Sequence, residues 1–236
     1  MIRQSLFAGL LVTLITLTGS GCGASRIQVL EKENIMLKKE LALFEAESRG
    51  KSKTIDSLKD KLEALEAEKA KEILKLESVK KELETSLKDE IDTYKAKLEM
   101  TERGLVLTFL AEIFFDSGKA DIRPAALDTI KSVSSILKNK VSDFDIVIEG
   151  HTDNEPITHS GWKSNWELGS HRTLSVLHYF EREGGIPPES LSSSSYGEYK
   201  PVADNATPEG RQKNRRVEII IAPPAQMKIK KLMGRE

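Results

Sequence analysis

The sequence predicts an α+β protein in which a β-α-β-α-β-β sandwich follows a long α-helical coiled coil. Three observations lead to this fold class. Residues 27–100 are rich in charged side chains, and their apolar residues recur at heptad spacing. The chain contains no proline before Pro124, so no proline interrupts a long helix. From Gly104 onward, short apolar runs alternate with amphipathic segments and turn residues, which is typical of a globular domain.

The first 21 residues have the features of a signal peptide: a positive start, an apolar run of about 13 residues and small residues before Cys22. A membrane-spanning helix needs a longer run, of about 20 residues. A cysteine after small residues resembles the lipobox of bacterial lipoproteins, although Gly19 stands where leucine is usual. We therefore predict a lipoprotein-type signal peptide over 1–21, palmitate-type acylation of Cys22 and a short linker over 22–26. An ordinary secretory signal and a retained membrane anchor are the alternatives.

Residues 27–101 are predicted to form a coiled-coil spacer. With Ile27 at heptad position a, most a and d positions are apolar as far as Leu83. Polar residues such as Asn34 interrupt this core, and Leu87 continues the apolar stripe one residue out of register. A single acyl chain holds a protein only marginally at a bilayer. We therefore expect the spacer to form a homo-oligomer, whose subunit number the pattern leaves open.

A globular domain is predicted over residues 102–223. Its first helix is expected from Pro124 to Lys140, and the sequence "SNWE" (164–167) is a capping box that opens a second helix ending near Glu183. The strands are predicted at 104–115, 144–149, 191–196 and 217–221. Residues 224–236, which include several basic side chains, are predicted to form a disordered tail.

Composition argues against several classes of function. The formal net charge of −1 provides no basic face, so we expect no nucleic-acid partner. The four histidines show no metal-binding spacing, and Cys22 has no base near it in the sequence, so we expect no metal site, no cofactor and no enzymatic activity. Asp153 and Glu155 form a carboxylate pair, but neighbouring loop acids are more typical of a solvated loop than of a glycosidase.

One acid and one arginine stand out by their position. Asp153 follows a predicted buried strand, and Arg172 lies two turns into the next predicted helix. If that helix face borders the strand end, the two groups meet across one pocket that suits a zwitterion, with the carboxylate taking an ammonium and the guanidinium a carboxylate. The alternative is that Asp153 and Arg172 simply pair with each other.

Four motifs, in order, carry a resemblance to a known family: "FDSGKADIRPAALDTI", "IEGHTDN", "SNWELGSHR" and "GRQKNRRVEI". They resemble the OmpA-like peptidoglycan-binding domain found in OmpA, Pal and the flagellar stator protein MotB, over residues 104–222. The loop "NEPITHSGWKSNWEL" is most similar to the MotB type. Gly169 and Thr173 depart from the family's helix motif, and a mid-helix glycine costs about 1 kcal/mol.

The resemblance implies binding of the peptidoglycan stem peptide at a diaminopimelate-like group. Asp153 would take its ammonium and Arg172 its carboxylate. Thr152 and Asn154 flank the acid, while Asn214 and Arg215 match a segment of the family that lies near the pocket. The predicted peptidoglycan-binding residues are Asp153, Arg172, Thr152, Asn154, Asn214 and Arg215.

These features predict an outer-membrane lipoprotein, facing the periplasm, that tethers the outer membrane to the cell wall. An envelope scaffold whose coiled coil recruits a protein partner is the alternative. A proton-conducting stator subunit is disfavoured, because no acidic residue occurs before Glu31 and the apolar run is short.

Overall fold

The computed structural model describes residues 22–158 and 160–223. The predicted signal peptide (1–21) and the predicted basic tail (224–236) lie outside the described residues. The chain divides into two compact units, with the division after Leu65. None of the described helices is both long and apolar enough to cross a membrane.

A single helix, α1, extends over Cys22–Ser86 and confirms the predicted long helix. In the first unit its large apolar side chains are exposed, as expected of the heptad positions of a single chain. Ile27, Leu30, Leu41, Phe44 and Leu58 are each more than half exposed. The coiled coil itself, which needs a second helix, stays a prediction.

The second unit begins inside α1, and the C-terminal end of this helix belongs to the core of the domain. Leu76, Val79, Leu83 and Leu87 are at most 3% exposed and join the same apolar cluster as the strands. The apolar stripe of a helix can pack against the domain of its own chain or against a second helix. The spacer predicted over 27–101 therefore overlaps the domain, which includes helix α2 (Lys88–Asp92) and a first strand, β1 (Ala96–Thr101).

Five strands form one mixed sheet in the order β1-β2-β5-β3-β4. Only β3 and β4 pair in parallel, as expected for strands joined by a crossover helix. The α+β fold class is confirmed, although β1 was not predicted. The other strands are β2 (Gly104–Leu110), β3 (Asp145–His151), β4 (Leu191–Gly197) and β5 (Arg216–Ala222).

Four further helices complete the domain: α3 (Ala111–Phe114), α4 (Leu127–Lys140), α5 (Asn165–Arg182) and α6 (Pro208–Asn214). The strand predicted over 104–115 thus ends at Leu110, and α3 follows it. Ser164 caps α5, since its hydroxyl accepts the N–H of Glu167 at 3.3 Å. The Ser164 half of the predicted capping box is present, whereas the Glu167 carboxylate accepts the N–H of Lys163, one residue before the N-cap.

The two faces of the sheet differ in chemistry. On one face, alternate residues of β2, β3 and β5 are apolar and pack with helices α4 and α5 in the core; examples are Leu107, Ile148 and Ile219, each fully buried. On the other face, β3 and β5 carry buried charged groups, including Glu149 and Glu218. The candidate site lies at the end of the sheet where β3 leads into the loop before α5.

Candidate functional site

A pocket of about 780 Å³ lies between the loop after β3, the loop after α3 and the first half of α5. Such a volume is within the range of small-ligand sites. Polar groups from distant parts of the sequence converge on it. They include Asp116, Lys119, Thr152, Asp153, Asn165, Arg172 and Arg215.

Asp153 lies two residues past the end of β3 and is 7% exposed. Its Oδ2 accepts a hydrogen bond from Nη1 of Arg215 at 2.5 Å. Among the described residues no ion pair joins Asp153 to Arg172, so the alternative in which these two groups pair with each other is not what the structure shows. Arg215 is the half-exposed partner, with 38% of its side chain accessible.

Arg172 is a buried cation, 5% exposed, that makes no ion pair within the described part of the chain. Its Nε donates to the carbonyl of Lys119 at 2.9 Å and its Nη2 to that of Asp116 at 3.4 Å, while the guanidinium lies 5.2 Å from the Phe115 ring centre. Burial, and then the nearby charge of Arg215, lowers the pKa of Arg172 to about 10. The guanidinium therefore stays charged at neutral pH and faces a ligand-sized pocket.

Of the other predicted residues, Thr152 lines the pocket, whereas Asn154 and Asn214 do not. The Thr152 hydroxyl donates to the carbonyl of Asp153 at 2.8 Å. Asn154 is exposed and outside the lining. Asn214 is fully buried, and its side chain makes four hydrogen bonds, to the backbone of Val202 and Ala203 and to the Asn205 side chain. Asn214 therefore holds the 202–205 loop and has no free group for a ligand.

Sequence reasoning missed the groups that join the loops around the pocket. Asn165 donates through Nδ2 to the Glu155 carbonyl at 3.1 Å and to Glu198 Oε2 at 2.7 Å. Trp162 donates through Nε1 to the Gly118 carbonyl at 2.8 Å. Asn165 shares a helix face with Arg172 in the sequence, which is a usable signal, whereas nothing in the sequence marks Trp162.

The mid-helix Gly169 is explained by close packing between α5 and the sheet. A Cβ on Gly169 would lie 2.2 Å from Ser195 Oγ, and a Cβ on Gly150 would lie 2.7 Å from the Gly169 carbonyl oxygen. Glycine at both positions lets the helix approach β3 and β4 closely. This approach sets the position of Arg172, one turn further along α5.

His151, two residues before Asp153, does not line the pocket. It is 3% exposed and stacks on Tyr196 with ring centres 5.3 Å apart, on the side of the sheet that carries Glu218. Burial, and then the charge of Arg216, lowers the pKa of His151 to about 4, so its ring is neutral at neutral pH. Burial alone would raise the pKa of Glu218, but hydrogen bonds from Arg103 and Arg216 outweigh it and lower that pKa.

Comparison with known proteins identifies the family. A sequence profile described as the OmpA family matches residues 114–215. The outer-membrane lipoprotein YfiB of Pseudomonas aeruginosa is 33% identical over 124 residues, which cover 52% of this chain and 70% of that protein. The chain belongs to the OmpA family.

Motility proteins B are also similar to this OmpA-family chain. Motility protein B of Bacillus subtilis (strain 168) is 41% identical over 155 residues, which are 66% of this chain and 59% of that protein. The crystal structure of the periplasmic domain of Helicobacter pylori MotB superposes with a TM-score of 0.53 at 29% identity, covering 58% of this chain and 89% of that structure. The chain thus spans less than two thirds of the length of the B. subtilis protein.

These likenesses correct the function expected from the sequence. The prediction of an outer-membrane tether, with a stator subunit disfavoured, is wrong, because the similarity points to motility protein B. A stator was disfavoured because no acidic residue occurs before Glu31 and because the apolar run before Cys22 is short. That run lies outside the described residues.

Proposed function

We propose that this protein is a MotB-like subunit of a flagellar stator whose OmpA domain anchors the motor by binding the stem peptide of peptidoglycan. The observation that carries the proposal is a buried, charged guanidinium in a ligand-sized pocket, with a buried carboxylate across from it. The matched OmpA family and the 41% identity to a motility protein B support the biological setting.

The pocket suits a zwitterionic group such as that of diaminopimelate. Arg172 is held by two backbone carbonyls, so its guanidinium is fixed before a ligand carboxylate arrives. A carboxylate at this position supplies the negative charge that a buried cation otherwise lacks. The ligand ammonium pairs with Asp153, where it takes the place of the half-exposed Arg215 guanidinium or shares the carboxylate with it.

The exposed apolar stripe of α1 supports self-association. Burial of one large apolar side chain is worth about 1.5–3 kcal/mol, and several lie on this stripe. A second copy of the chain is the partner we propose for it. Two wall-binding domains on one oligomer would raise the avidity for a polymer such as peptidoglycan.

The location proposed for the domain is outside the cytoplasmic membrane, where the wall lies. The related domain of the H. pylori protein is described as periplasmic. Acylation of Cys22 stays a prediction, and the intact mass of the protein isolated from its source cells would test it.

Co-sedimentation of the full-length chain with purified sacculi tests the wall-binding step. Asp153→Asn and Arg172→Met keep the side-chain shapes close to the original and remove one charge each. We expect each to weaken binding at least tenfold. Arg182→Met is the matched control, because Arg182 is exposed at the end of the same helix, and it should bind like wild type. Wild-type protein that stays in the supernatant would refute wall binding.

A domain exchange tests the motor role separately. Residues 66–223 of this chain replace the matching region of B. subtilis motility protein B, and swimming is measured in cells that lack their own copy. We expect swimming with the wild-type segment and loss of swimming with the Arg172→Met segment. If the exchanged protein accumulates and pellets with sacculi but gives no motility, the stator role is refuted while wall binding stands.

A further inference from the structure

The sheet face opposite the apolar core carries a buried group of potential metal ligands. Glu149 and His151 alternate on β3, and the strand register pairs Glu149 directly with Glu218 on β5. One potential ligand atom from each of the three residues lies within 4.8 Å of the other two. None of the three side chains lines the wall-binding pocket.

Two carboxylates directly opposite each other on neighbouring strands repel, so the pair needs a cation between them. Arg103, in the turn between β1 and β2, provides it, donating at 2.8 Å to Glu149 Oε2 and at 2.8 Å to Glu218 Oε2. Half of the Arg103 side chain is exposed, unlike the carboxylates, which are 9% exposed. The guanidinium can therefore swing out into solvent while the two acids stay in place.

His151 gives an independent indication of a missing ligand. Its side chain is 2% exposed, and neither ring nitrogen has a hydrogen-bond partner among the described residues. Glu218 Oε1 lies 3.8 Å from Nε2, which is beyond hydrogen-bonding distance. Buried polar atoms without partners are rare, and an ion between His151 and the two acids would satisfy one of these nitrogens.

The geometry points to a site for a divalent transition-metal ion of the Zn²⁺ class, held by Glu149, His151 and Glu218 when Arg103 turns outward. One imidazole nitrogen and two carboxylate oxygens form a donor set that Zn²⁺ accepts, with water as the fourth ligand. An ion at the centre of atoms within 4.8 Å of one another lies at most about 2.8 Å from each, so shifts of at most about 0.8 Å reach bonding distance.

Neighbouring groups orient two of the ligands. The Tyr196 hydroxyl donates to Glu149 Oε1 at 3.3 Å, and Tyr196 also stacks on His151. Nε of Arg216 donates to Glu218 Oε1 at 2.8 Å and orients this carboxylate, while the positive charge of Arg216 repels a bound cation. The ligands come from two strands that are distant in sequence, which is why the histidine spacing gives no sign of the site.

Cobalt titration of the full-length, EDTA-treated and dialysed protein tests the proposal, because Co²⁺ in a nitrogen–oxygen site has a visible spectrum that Zn²⁺ abolishes by competition. We expect one saturable Co²⁺ site in wild type and none in His151→Phe, whose ring keeps the contact with Tyr196. Arg103→Met removes the competing cation and should tighten Co²⁺ binding at least tenfold. His178→Phe is the control, since His178 is an exposed histidine paired with Glu181, and it should bind like wild type.

Thermal unfolding with and without Zn²⁺ distinguishes a variant that has lost the metal site from one that has lost its fold. The Zn²⁺-induced rise in Tm should be larger in Arg103→Met than in wild type and absent in His151→Phe. The proposal is overturned if wild type develops no Zn²⁺-sensitive Co²⁺ spectrum, or if His151→Phe keeps that spectrum.

Discussion

Two sides of the sheet bury arginine side chains in opposite electrostatic settings. On the pocket side, Arg172 is 5% exposed, donates only to backbone carbonyls and makes no ion pair in the described part of the chain. On the opposite side, Arg216 is 4% exposed and donates to Glu218 at 2.8 Å, and Arg103 joins Glu218 to Glu149. Both arginines are buried to the same extent, but only Arg216 has its charge neutralised within the fold.

The difference separates a binding role from a structural one. A buried charge destabilises the protein unless a counter-charge accompanies it. Arg216 has that counter-charge permanently and therefore stabilises the folded chain. Arg172 makes no ion pair in the described part of the chain, and the attraction of Asp153 is outweighed by burial and by the charge of Arg215, so a ligand carboxylate would offset more of its cost, which is the behaviour expected of a binding residue.

The largest expected effect is on stability and contrasts these two arginines. Arg216→Met leaves the buried Glu218 with Arg103 alone and should lower the free energy of unfolding by about 3–5 kcal/mol. Arg172→Met removes an uncompensated buried charge and two hydrogen bonds, so we expect a change of about 1 kcal/mol or less. Urea unfolding of the full-length variants measures both. Equal losses for the two variants would remove the distinction between a structural and a binding arginine.

The sequence predicted part of the pocket side of this comparison, but neither the pairing of Asp153 nor the setting of Arg216. Asp153 and Arg172 were expected at one pocket if the helix face borders the strand end, and both line the pocket. The pairing of Asp153 with Arg215 depends on β5 lying beside β3, an order that local patterns do not specify. The same applies to Glu149 and Glu218, which meet only through the register of β3 and β5.

The sequence did not predict that the domain begins inside α1, and the reason is physical. Leu76, Val79 and Leu83 continue the heptad pattern of the residues before them, and their partner is the core of the chain's own domain. Periodicity shows that a helix face is buried but not which surface buries it. Asn214 illustrates the reverse case, since a motif residue expected near the ligand instead fills its hydrogen bonds with a loop.

A smaller effect is expected from a change that pushes helix α5 away from the sheet on the pocket side. Gly150→Ala places a Cβ 2.7 Å from the Gly169 carbonyl oxygen and 2.7 Å from Thr173 Cγ2. Because a backbone atom cannot move aside alone, α5 must shift, and we expect a loss of about 1–3 kcal/mol in stability. Wall binding should fall severalfold because Arg172 moves with α5. Gly50→Ala, on an open part of α1, is the control and should bind sacculi like wild type.

The smallest effect concerns the loops around Arg172. Trp162→Phe keeps the ring beside His171 but removes the hydrogen bond to the Gly118 carbonyl. One such bond is worth about 1 kcal/mol, which corresponds to roughly fivefold in affinity if the loop closes over the ligand. Co-sedimentation at several protein concentrations measures that change, and the unfolding free energy should fall by no more than the same amount. Unchanged affinity together with lower stability would mean that the Trp162 contact holds the fold and contributes nothing to binding, so the pocket would depend on its charged groups alone.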